Sequence, residues 1–183
     1  MTSSYARPRR HRGALALGCL ALAAAANRAA AQPASSPAAP AHFAPMAFLA
    51  ESCWKGTFPD NVATDEHCFT WVYGKQFLRD KHIVRNGKTP YEGETMYALD
   101  VAAKQVSYVY WSSDGNTMRG AVESRGDSLI FPTRFDTPKG PIEIKAVWTR
   151  LGPDRYRVWQ AQKVGDAWKP MMTMELTRSG AAK

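Results

Sequence analysis

Two histidines and an aspartate are the side chains of this sequence best suited to chemistry. Asp80 stands two residues before His82, so a strand through both directs them to the same face. With His67 they offer two imidazoles and a carboxylate, a set that binds metals, and Tyr91 is an alternative third ligand. Asp80 is also suited to orient an imidazole for acid–base catalysis. Such residues commonly satisfy one another instead, so no catalytic residue, metal ligand or cofactor is assigned.

Two cysteines of the same region predict a disulfide. Cys53 and Cys68 are 15 residues apart, which is not the Cys-x-x-Cys spacing of a redox pair. A zinc site would need more ligands than two sulfurs. An even pair in an exported protein favours a cross-link, and a loop of this size contributes about 3 kcal/mol in the chain-entropy model. Free thiols and a catalytic role are the alternatives.

Export is predicted from the amino terminus. Arginines between residues 7 and 12 precede a short apolar run, Gly13–Ala26, and then three alanines that end at Ala31. This order is typical of a signal peptide cleaved after Ala31, and the run is too short for a membrane span of about 20 residues. The protein is therefore expected in the periplasm or outside the cell, with no membrane span in the mature chain. A lipoprotein modified at Cys19 is the alternative.

The charge of the chain argues against a nucleic-acid partner. The formal net charge is +8, but five basic residues leave with the signal peptide, so 19 basic residues face 16 acidic ones. Residues 32–44 are rich in alanine, proline and serine and predict a disordered leader. Residues 45–178 then form one domain, and residues 179–183 form a tail.

The folded part is predicted to be all-β. Turn-forming residues recur about every ten residues after Trp54, and Asn86-Gly87 is the strongest hairpin signal. A short helix is expected over residues 46–52. About ten sequential antiparallel strands must close or form a sandwich to protect their edges, which favours an up-and-down β-barrel.

Tight turns also predict which side chains face each other. A two-residue loop at Asn86-Gly87 places Arg79 opposite Glu94 and Lys81 opposite Glu92, which are complementary pairs. A loop at Gly74-Lys75 places His67 opposite His82, and a loop over residues 101–104 places Tyr97 opposite Tyr108. The charged pairs then lie outside, and one continuous face points into the barrel.

That inward face is aromatic and rich in methionine, with a few polar groups. Such a lumen predicts the binding of a small apolar or amphipathic ligand, with Arg157 as an anchor for a carboxylate. Alternatively, Arg157 extends to the rim and solvent, or the barrel is filled and serves a structural or interaction role. The predicted lumen residues are Arg157, Trp148, Trp159, Trp71, Tyr97, Tyr108, Tyr91, His67, His82, Asp80 and Met172.

Several short motifs resemble a known family. CWKGTF, at residues 53–58, has the Trp-x-Gly of the first strand in lipocalin-like, or calycin, barrels. YEGETMYALD followed by VSYVYWSSDG resembles the central hairpin of bacterial lipocalin-like domains of unknown function. DAWKPMMTMELTR is similar to their last strand, including its terminal arginine. The resemblance covers most of residues 50–178 and implies a barrel of eight or ten strands with a small apolar ligand.

The same resemblance extends to the nitrobindins, which have ten strands and bind haem. Those proteins place their haem histidine near the C-terminus, whereas this chain has no histidine after His82. Ser52 also replaces the glycine that precedes the tryptophan in lipocalins. Neither haem nor any other cofactor is therefore expected.

Overall fold

The computed structural model of the chain describes residues 38–137 and 140–183. The predicted signal peptide, the alternative lipidation site at Cys19 and residues 32–37 of the predicted leader lie outside these ranges. A 3-10 helix over Ala41–Met46 comes first. The strands that follow are β1 Ser52–Thr57, β2 Thr64–Val72, β3 Phe77–Arg85, β4 Tyr91–Asp100, β5 Gln105–Ser112, β6 Thr117–Ala121, β7 Glu123–Arg125, β8 Ser128–Thr137, β9 Gly140–Gly152, β10 Arg155–Val164 and β11 Ala167–Ala181.

The strands form one antiparallel sheet that curls into a nearly closed barrel. The order is β6-β5-β4-β3-β2-β1-β11-β10-β9-β8-β7, so β1 pairs with β11 and the two edges are β6 and β7. Strand β6 lies beside β8. Between the two ends of the sheet, the hydroxyl of Tyr108 in β5 and Oγ1 of Thr133 in β8 share a hydrogen bond of 2.5 Å. The all-β barrel is confirmed, with eleven strands within the described ranges because the chain between Thr117 and Arg125 divides into β6 and β7.

Among the three hairpins from β2 to β5, the register agrees with the sequence in two and differs in one. His67 pairs with His82 between β2 and β3, and Tyr97 pairs with Tyr108 between β4 and β5, as predicted. Between β3 and β4, Lys81 pairs with Glu94 rather than with Glu92. The loop at Asn86-Gly87 is longer than two residues. Because the register shifts by two residues, the side chains of β3 and β4 keep their predicted faces.

The 3-10 helix and the turn after it close one end of the barrel. Phe43, Met46 and Leu49 are fully buried there against Trp54 of β1 and Tyr156 of β10. Trp54 Nε1 donates a hydrogen bond of 3.1 Å to the Leu49 carbonyl.

Three predicted boundaries differ from the structure near the ends of this domain. The helix ends at Met46, where the sequence predicted one over residues 46–52. Residues 47–51 form turns instead, and Glu51 has a φ of 56°, which a right-handed helix does not allow. Phe43, in the predicted leader, belongs to the core because its ring is removed from water. Strand β11 runs to Ala181, beyond the predicted domain end at Arg178, because β1 pairs with it there.

A disulfide joins the first two strands and confirms the prediction for the two cysteines. Cys53 and Cys68 are direct cross-strand partners and are bonded through their sulfurs. Cys68 also pairs with Lys81, so the bond lies on the outer face of the barrel. No helix within residues 38–137 and 140–183 has the length and apolar character needed to cross a bilayer.

Candidate functional site

The barrel encloses a cavity of about 700 Å³. Its walls come from both halves of the sheet, and its mouth lies among the loops that contain Lys88 and Asn116. The opposite end is closed by the segment around Phe43. Cavities of this size suit a drug-sized molecule, since ligand pockets typically measure about 300–1,000 Å³.

A buried imidazole lies between two carboxylates in the cavity wall. His67 Nδ1 is 2.8 Å from Asp80 Oδ2, and His67 Nε2 is 3.2 Å from Asp65 Oδ2. Ionised carboxylates only accept hydrogen bonds, so both ring nitrogens of His67 donate and the ring is an imidazolium. Strand alternation explains the arrangement, because Asp65 and His67 of β2 and Asp80 of β3 all occupy inward positions.

The second histidine stacks on the first. The rings of His67 and His82 have centroids 4.4 Å apart and an interplanar angle of 20°. His82 Nε2 lies 3.0 Å from Asp65 Oδ1, which is close enough for an ion pair but lacks hydrogen-bond alignment. Asp80 Oδ1 is also buried without a hydrogen-bond partner among the described residues. The cluster therefore has unused acceptor capacity.

Electrostatics reinforce the central ion pair. Burial alone would lower the pKa of His67, but the charges and hydrogen bonds of Asp80 and Asp65 outweigh it and raise that pKa to about 10. For Asp65, burial would raise the pKa, yet the hydrogen bond and charge of His67, followed by the close approach of His82, hold it well below its usual value. Both groups are thus charged at neutral pH.

Tyrosines and a tryptophan form the wall around this cluster. The Tyr91 and Tyr110 hydroxyls are hydrogen-bonded to each other. The Trp148 ring lies edge-on to His67 at 5.6 Å and packs 4.6 Å from Phe131. Burial, followed by the charge of Asp80, raises the pKa of Tyr97 well above its usual range, so this hydroxyl stays neutral. Aromatic side chains consequently surround the charged cluster in the cavity wall.

Most predicted lumen residues lie around the cavity. Trp71 instead packs at the closed end, 5.3 Å from the Phe43 ring, where the 3-10 helix covers it. The predicted residues that line the cavity are His67, Asp80, His82, Tyr91, Tyr97, Tyr108, Trp148 and Met172.

The predicted inward orientation of Arg157 and Trp159 is wrong. Arg157 is exposed, and its Nη2 lies 2.8 Å from Glu175 Oε1 on the outer face. Trp159 lies outside as well, with Lys145 Nζ 5.9 Å from its ring centroid. A register shift between Arg155 and Tyr156 causes the difference, because one extra residue at a bulge exchanges the faces of the strand. Val158 therefore faces Trp148.

Asp65 is the important site residue that the sequence analysis missed. It stands two residues before His67 and shares its face, so the alternation already recognised in β2 was sufficient to find it. The two residues proposed as third ligand have other partners: Asp80 bonds His67 Nδ1, and the Tyr91 hydroxyl bonds Tyr110. Asp65 is the carboxylate that faces both imidazoles.

Within the described residues, fold and site define an antiparallel β-barrel of eleven strands, compatible with a calycin-like fold, whose lumen has room for a ligand. The chain matches no protein family profile, and no curated protein is significantly similar to it.

Proposed function

We propose that this barrel binds one small amphipathic molecule in its lumen. The observation that carries the proposal is the cavity of about 700 Å³, bounded by aromatic and methionine side chains on most sides and by a charged cluster on one. A barrel with a purely structural role would fill this space with side chains. An apolar ligand body would displace water from Trp148, Tyr97 and Met174, and this burial would stabilise the complex.

The charged cluster indicates which polar group the ligand carries. Arg157 lies outside, so it does not anchor a carboxylate in the lumen as the sequence predicted. The inward patch instead offers Asp65 and Asp80, and Asp80 Oδ1 has no hydrogen-bond partner among the described residues. A hydroxyl or amine of the ligand that donates to this oxygen would remove the cost of leaving it buried and unpaired.

We also propose that binding takes place outside the cytoplasm. A disulfide between Cys53 and Cys68 fits an oxidising compartment. Export through the predicted signal peptide, residues 1–31, would deliver the chain to the periplasm or the medium. The mass of the protein recovered from its own host tests this: cleavage after Ala31 supports export, whereas an intact amino terminus contradicts it.

Native mass spectrometry of the same material tests ligand binding directly. We expect a copurifying small molecule, or uptake of a neutral hydrophobic dye with 1:1 stoichiometry. Ala146→Trp fills the lumen from β9 and should abolish uptake, because Ala146 lines the cavity. Its neighbour Val147 faces outward beside Trp159, so Val147→Trp is a matched control that should bind normally. Equal dye uptake by both variants, or none by the parent protein, would refute lumen binding.

A further inference from the structure

We propose that Asp65, His67 and His82 form a binding site for one divalent transition-metal ion in the lumen wall. The three side chains each offer a ligand atom, and these atoms lie within 4.8 Å of one another. Asp65 and His67 are buried, and His82 is half-buried. This site goes beyond ligand binding in the cavity and does not depend on it.

The orientation of the three groups suits a shared ion. His67 Nε2 and His82 Nε2 both face the Asp65 carboxylate, at 3.2 and 3.0 Å from its two oxygens. Metal–ligand bonds for zinc measure about 2.0–2.2 Å to nitrogen and oxygen, so three ligand atoms around one ion lie roughly 3 Å apart. Small side-chain adjustments would therefore bring all three atoms onto one ion without a change in strand register.

A second observation comes from the polar atoms left without hydrogen bonds. Asp65 Oδ1 and His82 Nε2 are both buried, and neither has an aligned hydrogen bond in the described part of the chain. Asp65 itself is 4% exposed. Buried polar atoms without hydrogen bonds are rare in folded proteins. An ion between these two atoms would satisfy both.

Asp80 supplies the partner that a metal-binding histidine usually has. Its Oδ2 lies 2.8 Å from His67 Nδ1, the ring nitrogen that points away from Asp65. Metal-ligating histidines commonly donate their other N–H to a carboxylate, which fixes the ring and increases its basicity. Asp80 is therefore a positioning residue for His67 rather than a ligand.

Charge balance favours the bound ion. The ion displaces the Nε2 proton of His67 to solvent, so both imidazoles are neutral in the bound state, and it neutralises the two negative charges of Asp65 and Asp80 within the buried cluster. Two imidazole nitrogens select Zn²⁺ and its transition-metal neighbours over Mg²⁺ and Ca²⁺, which prefer oxygen ligands. Three protein ligands leave a coordination position toward the cavity, where water or a donor atom of a lumen ligand would bind.

Calorimetric titration of the untagged, metal-free protein with Zn²⁺ tests the site, with Co²⁺ absorption as a second probe. We expect one ion per chain and a visible Co²⁺ spectrum typical of nitrogen and oxygen ligands. His82→Gln and Asp65→Asn should each weaken Zn²⁺ binding by at least tenfold, and Asp80→Asn by about 10- to 100-fold. His42→Gln, in the 3-10 helix outside the lumen, is the matched control and should bind as the parent does.

Circular dichroism establishes that each variant is folded, and the parent protein provides a test without substitution. Zn²⁺ should raise its melting temperature, since an ion that binds only the folded state stabilises it. A dissociation constant weaker than about 1 mM for the parent, or unchanged binding by folded His82→Gln and Asp65→Asn proteins, overturns the site. Dye uptake by metal-free protein is measured separately, so ligand binding and metal binding can fail independently.

Discussion

The guanidinium carbon of Arg178 lies 4.3 Å from the centroid of the Trp54 ring. This contact joins the last strand to the first at the closed end of the barrel. Arg178 also forms an ion pair with Asp154 at 2.8 Å and bonds the Ser52 hydroxyl and the Phe48 carbonyl. One side chain thus holds β1, the β9–β10 turn and the segment after the 3-10 helix together beneath the lumen.

Removal of the Arg178 side chain should destabilise the whole barrel. Arg178→Ala eliminates a cation–π contact and several charge-assisted hydrogen bonds, so we expect a loss of about 2–3 kcal/mol in the free energy of unfolding. Arg157→Ala is the control, because its exposed pair with Glu175 contributes less than about 1 kcal/mol. Urea unfolding measures both, and an equal effect of the two substitutions would contradict the role of Arg178.

Loss of the disulfide should lower stability but preserve the fold. The cross-link closes a 15-residue loop between β1 and β2, whose cross-strand pairing does not depend on it. We expect reduction to cost about 3 kcal/mol and to lower the melting temperature. A Cys53→Ser, Cys68→Ser double variant should melt like the reduced protein and not respond to reductant. A melting temperature unaffected by reduction would contradict the bond.

The wall near the mouth depends on a glycine. A Cβ added to Gly93 would lie 2.7 Å from Tyr110 Cζ, so Gly93→Ala must displace the ring that bonds Tyr91. We expect a loss of about 1–3 kcal/mol, as for other overpacked sites. At Gly180 an added Cβ would have no neighbour within 4 Å, so Gly180→Ala should cost much less. Thermal unfolding of the two variants compares them, and the reverse order would disprove the contact.

Stability of the metal-free protein should decline on both sides of mildly acidic pH. Burial alone would lower the pKa of His67, but its pairing with Asp80 and Asp65 raises it from an ordinary 6.5 to about 10 in the folded state. The contribution of His67 to the free energy of unfolding is therefore complete below pH 6.5 and disappears as the pH rises toward 10. The pKa of Asp65 is instead held low, despite burial, by its hydrogen bond with His67 and by the nearby His82. Its contribution to the free energy of unfolding therefore disappears as the pH falls below its ordinary 3.8.

Urea unfolding with a chelator present measures this profile. Between pH 5.5 and pH 9 we expect a loss on the order of 3 kcal/mol. His82 stacks on His67. Tyr97 and Tyr156 interact with Asp80 of the cluster; burial, then Asp80, raises the pKa of both tyrosines well above 10, so they remain neutral in this range. His67→Gln removes the shifted group and should abolish the alkaline decline. An identical decline in that variant would contradict the assignment to His67.

The sequence by itself determined the strands, most of their partners and the disulfide. Alternation along β2 and β3 was enough to place His67, Asp80 and His82 on one face, since successive strand residues point to opposite sides. The loop at Asn86-Gly87 was longer than its sequence indicated, yet the shift of two residues preserved the inward set.

Only the tertiary structure decided which way β10 faces and what the cluster contains. A bulge at Arg155–Tyr156 moved Arg157 and Trp159 outside, and the effect of one extra residue cannot be predicted from local alternation. Asp65 shares a face with His67 by alternation, but its approach to both imidazoles depends on the distance between side chains of two strands. The closed end likewise depends on Arg178 and Trp54, which lie far apart in the chain and meet only because β11 returns to β1.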